Sequence, residues 1–185
     1  MKTVLETERL ILRNFVLEDL DDLFEYASQE KVGPMAGWEP HTDKENTLKY
    51  LKKIINKPLQ FAIVLKEENK VIGTVELMDC HKERFKNIEI EEDAKEIGCV
   101  LSEKYWQKGY MTEAIKEIIR YTFEELNVDV IYTCNASKNI GSSKVQEKCG
   151  FKQIGILPND RKWIDGTMTD KIQRKLTRDD FYKRK

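Results

Sequence analysis

The sequence predicts a mixed α/β (α+β) fold, with about six to seven strands in one sheet and helices on both faces. Three observations predict it. Two apolar runs in the first half are joined by a hairpin turn. The second half alternates strand, helix and strand, which implies a parallel pair with a right-handed crossover. Between them, residues 98–114 pass from a short apolar run through a polar loop into a well-marked helix.

In order, residues 7–15 (Thr-Glu-Arg-Leu-Ile-Leu-Arg-Asn-Phe) predict a first strand, Leu10, Leu12 and Asn14 alternating with Arg9, Ile11 and Arg13. A helix is expected from about Leu17, with Leu20, Leu23, Phe24 and Ala27 on one face, ended by Gly33-Pro34. The loop from Gly33 to Thr42 holds Met35, Trp38, Pro40 and His41; its aromatic either lines a pocket or covers the core. Thr42 or Asp43 caps a second helix with Leu48, Leu51, Ile54 and Ile55 inward. Phe61 to Leu65 is a buried strand, Glu67-Glu-Asn-Lys70 a hairpin turn and Val71 to Met78 the partner strand. Residues 79–95 are polar, with Glu89, Glu91, Glu92 and Asp93 clustered: a solvated loop, or an electrostatic lure for a cation.

Glu96 to Leu101 is the next strand. The long helix after it buries Met111, Ala114, Ile115, Ile118, Ile119, Thr122, Phe123 and Leu126, which recur at helical spacing. Asp129 to Cys134 is a strand; Asn139 opens a helix that ends at Gly150. Phe151 to Leu157 is a strand, and a further strand with a turn at Asp165-Gly166 spans 163–175. Thr177 starts a short helix, 177–185; residues 1–185 are expected to form one domain with its core at about 5–176.

Gly109 stands where the polar loop meets the long helix. The first amides of a helix lack internal partners, and the dipole places partial positive charge there. Strand, glycine loop and helix thus make an anion site suited to phosphate, with Lys104 and Lys108 beside it. The alternative is an ordinary turn relieved by a glycine. Neither a P-loop nor Gly-x-Gly-x-x-Gly occurs.

Charges nearly cancel, 33 acidic against 32 basic, which gives no nucleic-acid footprint. No apolar run approaches the roughly 20 residues that span a bilayer, and the start lacks a signal-peptide core, so no membrane partner and a cytoplasmic location are expected. Cys80, Cys99, Cys134 and Cys149 form no Cys-x-x-Cys pair, and no metal is expected.

Three segments stand together: Glu96–Leu101 running into Tyr105-Trp-Gln-Lys-Gly-Tyr-Met-Thr-Glu-Ala114, then Asn139-Ile-Gly-Ser142 followed by Glu147-Lys-Cys-Gly-Phe151, and the opening Thr-Glu-Arg-Leu-Ile-Leu-Arg. Together they resemble the GNAT superfamily of N-acetyltransferases, in its RimJ/RimL-like (ribosomal-protein-alanine acetyltransferase) branch. The resemblance implies a centrally splayed sheet and acetyl-CoA as cosubstrate. It implies that Gln107, Lys108, Gly109, Tyr110, Met111 and Thr112 wrap the pyrophosphate, and that Cys99, Val100 and Leu101 bind the pantetheine arm and offer an amide to the thioester oxygen. Asn139 is expected on the pantetheine or phosphate arm and Ser142 on the leaving thiolate, although both residue types are also good helix caps. The chain departs from the family at two places. Gln107 replaces the first loop glycine, where its amide serves if its φ is negative. Gln146 replaces the tyrosine acid of many members, which leaves Ser142 as the acid.

The reaction needs a neutral amine, so a base is required. An α-amino group, with a pKa near 8, needs less help than a lysine near 10.4. Glu96 leads the candidate bases, ahead of Glu76 and Asp160; the alternative for Glu96 is a surface residue at a strand end. The oxyanion would be held by an amide near Val100 or Leu101. Trp38, His41 and Trp163 are expected to shape the acceptor groove. The expected acceptor is a protein N-terminus. A small amine (polyamine or aminoglycoside) and a non-catalytic acyl-CoA-binding module are the alternatives. The chain is expected to be a monomer or homodimer.

Overall fold

The computed structural model describes residues 3–184. Among the described residues, eight strands hydrogen-bond in one mixed, splayed sheet, one more than the sequence suggested: β1 (Val4–Glu6), β2 (Leu10–Arg13), β3 (Gln60–Leu65), β4 (Lys70–Asp79), β5 (Lys95–Leu101), β6 (Val130–Ala136), β7 (Lys152–Lys162) and β8 (Met168–Thr177), in the order β1-β2-β3-β4-β5-β6-β8-β7. The helices are α1 (Leu20–Ala27), α2 (Val32–Ala36), α3 (Lys44–Ile54), α4 (Tyr110–Glu124), α5 (Ile140–Lys148) and α6 (Arg178–Tyr182). The chain forms two compact units. One takes the described residues up to Glu76 with Cys99–Glu117; the other takes Leu77–Gly98 with the described residues from Ile118 onward.

In the first unit, β1 to β4 form an antiparallel meander, with Leu5 opposite Leu12, Ile11 opposite Val64 and Ala62 opposite Thr74. The strand expected over 7–15 is two strands. Thr7 breaks it: its Oγ1 accepts from the Leu10 amide at 3.0 Å, and its own amide donates to the Leu10 carbonyl at 3.0 Å. A short hydroxyl side chain competes with ladder bonding in this way. α1 and α3 pack on one face of the strands, where Leu23, Tyr26, Ala27, Leu51 and Ile54 meet Ala62, Val64 and Val71. Phe61, Ile63 and Leu65 are equally buried, and strand alternation puts them on the opposite face. Tyr26, not the expected Phe24, is the buried aromatic of α1. Gly33-Pro34 does not end a helix but lies inside α2. A proline in the first turn loses no internal hydrogen bond. The helix stops instead at Gly37, at φ +94°. Asp43 caps α3, its Oδ1 accepting from the Asn46 amide at 2.7 Å.

In the second unit, β5 and β6 are parallel, as the strand–helix–strand order requires, with Lys95 opposite Ile131 and Glu96 opposite Tyr132. The ladder is short. Beyond it the Ile97 carbonyl accepts from Thr133 Oγ1 at 3.2 Å. β6, β8 and β7 continue antiparallel, the last two closing through a turn with Gly166 at φ +82°. That turn falls where Asp165-Gly166 placed it, but β7 runs to Lys162 and β8 begins only at Met168. Residues 79–95 are not simply a solvated loop. They carry a 3-10 turn, Lys82–Arg84, and bury Phe85, whose ring lies 5.1 Å from that of Tyr132. Among the described residues, no helix is long and apolar enough to cross a membrane.

Candidate active site

The loop into α4 is tied down from the first strands. Glu113, in the first turn of α4, accepts from Thr7 Oγ1 at 2.6 Å, the Arg9 amide at 2.9 Å and Arg9 Nε at 2.7 Å, and pairs with Arg9 Nη2 at 2.6 Å. Arg9 Nη1 also donates to the Lys108 carbonyl at 3.1 Å, and the guanidinium lies 4.4 Å over the Tyr110 ring. The opening Thr-Glu-Arg is therefore the brace of the loop. Gly109 sits at φ +85°, and a Cβ there would come within 3.4 Å of Arg9 Nη2. Gln107 takes φ +61°, the left-handed region that the missing glycine would have supplied without strain. The condition on which its amide was expected to serve, a negative φ, is thus not met. Lys104 and Lys108 are exposed, their ammonium groups 5.3 and 5.4 Å from the centre of the Tyr105 ring.

In β5 of this unit, Cys99 and Val100 are half-buried. The Leu101 carbonyl accepts from Trp106 Nε1 at 2.7 Å. Gly73 is needed here, because a Cβ on it would collide with the Val100 carbonyl and lie 3.1 Å from Leu101 Cα. Trp38 and His41 are brought together, ring centres 5.4 Å apart, with Tyr50 beyond at 5.6 Å from His41. His41 Nδ1 lies 2.9 Å from Thr47 Oγ1. Burial lowers its pKa, against a smaller opposite effect of Asp43. Glu76 pairs with Lys57 at 3.0 Å.

In the second unit, Asn139 caps α5, its Oδ1 accepting from the Ser142 amide at 3.0 Å. Ser142 Oγ accepts from Gln146 Nε2 at 3.1 Å. Gln146 is buried and reaches further, to Thr133 Oγ1 at 3.3 Å. Its Oε1 accepts from Arg174 Nη1 at 2.8 Å, and the same nitrogen serves Asn135 Oδ1 at 2.7 Å. Arg174 is 3% exposed and pairs with Glu147 at 3.1 Å. Gln146, expected only as a missing tyrosine, is the hub that fixes the Ser142 hydroxyl. Arg174 was missed, and an arginine in a strand carries no local signal of burial.

Glu96 is not a surface residue at a strand end. It is 0% exposed. Its Oε1 lies 3.0 Å from Arg84 Nη2 and accepts from the Cys134 thiol at 3.8 Å, while its Oε2 has no hydrogen-bond partner. Burial pushes its pKa up; Arg84 and, after it, His81, Cys134 and Lys171 pull it down without cancelling that. Asp160 is held below the ordinary range by Lys171 and by Lys86, which it meets at 2.8 Å. Trp163 lies at the β7–β8 turn, its amide donating to the Thr167 carbonyl at 2.8 Å. Of the acidic run, Glu91 is engaged: it accepts from the Tyr132 hydroxyl and pairs with Lys175 at 3.3 Å. Among the described residues, no group of three or more His, Cys, Asp and Glu is placed to hold a metal ion.

The model of the family described as Acetyltransferase (GNAT) domain matches residues 9–152. An uncharacterized N-acetyltransferase, p20, of Bacillus licheniformis is 32% identical over 163 residues, covering 85% of this chain and 87% of that one. The solved structure of a GNAT-family acetyltransferase from Bacillus anthracis superposes with a TM-score of 0.80 at 24% identity, covering 96% of this chain and 99% of that one. That of a ribosomal-protein-S5-alanine acetyltransferase from Vibrio fischeri does so with a TM-score of 0.70 at 24% identity, covering 96% and 98%. The chain belongs to the GNAT acetyltransferase family and is an acetyl-CoA-dependent acetyltransferase.

Proposed function

We propose that the chain acetylates the N-terminal α-amino group of a protein by direct attack of the amine, with Glu96 as base and Ser142 as acid. The observation that carries this reading is the Glu96 carboxylate, wholly buried with one oxygen unpartnered. Burial raises the Glu96 pKa and so makes it a better proton acceptor, and an α-amino group near pKa 8 needs less help from a base than a lysine near 10.4. The engagement of Glu91 by Tyr132 and Lys175 removes one charge from an acidic lure for polyamines.

The loop fits the diphosphate of acetyl-CoA. α4 has 15 residues and its N-terminal end meets this loop, Gly109 adds no side chain, and Lys108 stays exposed. Acetyl-CoA supplies the acetyl thioester. The protein's part is to orient and to move protons. Glu96 Oε2, buried and unpartnered, takes a proton from the amine directly or through water. Ser142 Oγ, which accepts from Gln146 Nε2, would keep its proton and donate a hydrogen bond to the departing sulfur, while the proton taken by Glu96 balances the thiolate released. The Asn139 side chain keeps the first turn of α5 in place. Cys99, Val100 and Leu101 take the pantetheine arm, and Trp38, His41 and Trp163 contribute to acceptor binding.

The test is acetyl transfer read by mass spectrometry from three acceptors: a peptide with a free N-terminal alanine, the same peptide blocked at its N-terminus with an internal lysine, and spermidine. The reading predicts one acetyl group on the free N-terminus and a loss of roughly 100-fold or more in Glu96→Gln. Transfer to spermidine alone would overturn the acceptor, and undiminished transfer by Glu96→Gln would overturn the base.

A further inference from the structure

We propose that Arg84 is a positioning residue for the transfer: it grips Oε1 of Glu96 and so leaves Oε2 as the one unpartnered oxygen of the buried carboxylate. This rests on the reading of Glu96 as base. Arg84 closes the 3-10 turn Lys82–Arg84, in a segment the sequence marks only as polar. Its carbonyl is moored to β8 by Gln173 Nε2 at 3.3 Å and Lys171 Nζ at 3.5 Å. Its Nη2 then reaches inward to Glu96 Oε1 at 3.0 Å and to Cys134 Sγ at 3.5 Å. The backbone is held independently of the side chain, so the guanidinium can be changed without freeing the turn.

A fully buried carboxylate alone would take up a proton and stop acting as a base. The groups that face Glu96 are Arg84 and His81 from the segment after β4, Cys134 from β6, Lys171 from β8, and Cys80. Burial pushes the Cys80 thiol up to about 12 and the Cys134 thiol up as well, so neither brings a charge at neutral pH. Lys171 is already paired with Asp160. Arg84 is the largest of the influences that favour the ionised form of Glu96. Its side chain is 41% exposed, so Arg84→Met is expected to fold.

The experiment follows the Glu96 carboxyl by carbon-13 NMR across pH, its signal assigned by its loss in Glu96→Gln. In parallel, the pH profile of kcat/KM is measured with the N-terminal-alanine peptide and with spermidine. Arg84→Met is expected to raise the Glu96 midpoint by about one unit or more, a tenfold loss of acidity. It should move the acidic limb of the profile by the same amount and lower kcat at neutral pH with KM for acetyl-CoA unchanged. Arg84→Lys should restore most of the shift. An unmoved midpoint in a folded Arg84→Met protein would overturn the proposal while leaving Glu96 as base intact. Full transfer by Glu96→Gln would instead sink the underlying assignment, and the proposal with it.

Discussion

Glu113 and Glu96 are the same residue in opposite settings. Glu113 is filled on both oxygens by Thr7 and by three Arg9 donors. Burial pushes its pKa up, but the Thr7 hydroxyl and Arg9 outweigh that and hold it below the ordinary range. Glu96 is more deeply buried, has one charged partner and keeps an orphan oxygen, and its pKa stands above the ordinary range. A carboxylate that braces a loop has its lone pairs saturated. One that must accept a proton is left incomplete, at a cost in stability that the rest of the fold carries.

The comparison is easiest to break at Glu113. Glu113→Ala strips partners from Thr7 and Arg9 and should cost roughly 2–3 kcal/mol in urea unfolding, with weaker acetyl-CoA binding because the loop loses its brace. The pH dependence of the two sites should run in opposite directions. Because the folded pKa of Glu113 is depressed, its contribution is present above the ordinary value of about 4.3 and is lost as pH falls through the folded pKa. The stability gap between wild type and Glu113→Gln should therefore close in acid. The folded pKa of Glu96 is raised, so its contribution is present below about 4.3 and lost as pH rises through the folded pKa. Glu96→Gln should lose least, or gain, at neutral pH. A parallel course for both variants would erase the distinction.

Smaller effects sharpen it. Asn139→Ala removes the cap on the Ser142 amide and should cost about 1 kcal/mol, measured as a fall in the denaturant midpoint. Gln107→Gly should be neutral or stabilising by up to about 1 kcal/mol, since a left-handed side chain costs more than glycine's extra unfolded freedom. A clear loss of stability there would mean that the side chain holds the loop.

What the sequence disclosed was local. The buried face of α4 followed from its period as far as Phe123, although Leu126 lies past the helix end and is only half-buried; the caps at Asn139 and Thr177 and the stop at Gly150, which takes φ +97°, followed from residue type. What it concealed was long-range. Arg9 and Glu113 lie 104 residues apart, and nothing near either says that they meet. Glu96 looks like any charged residue at the mouth of a strand, because its burial depends on a turn folding Arg84 over it. Gln146 of α5 and Arg174 of β8 form a buried pair across 28 residues that only the packing of α5 on the sheet brings together. The positive φ of Gln107 was hidden for another reason: glutamine has no preference for that conformation, and the neighbouring structure imposes it.

The most direct test of the account is a calorimetric titration of wild type and Gly109→Val with acetyl-CoA. The account predicts saturable binding to the wild type and affinity weaker by roughly tenfold or more in a variant that remains folded, because a β-branched residue is strained at φ +85° and its Cβ would come within 3.4 Å of Arg9 Nη2, which braces the loop. Equal affinity in the two proteins, or no binding to the wild type, would contradict it.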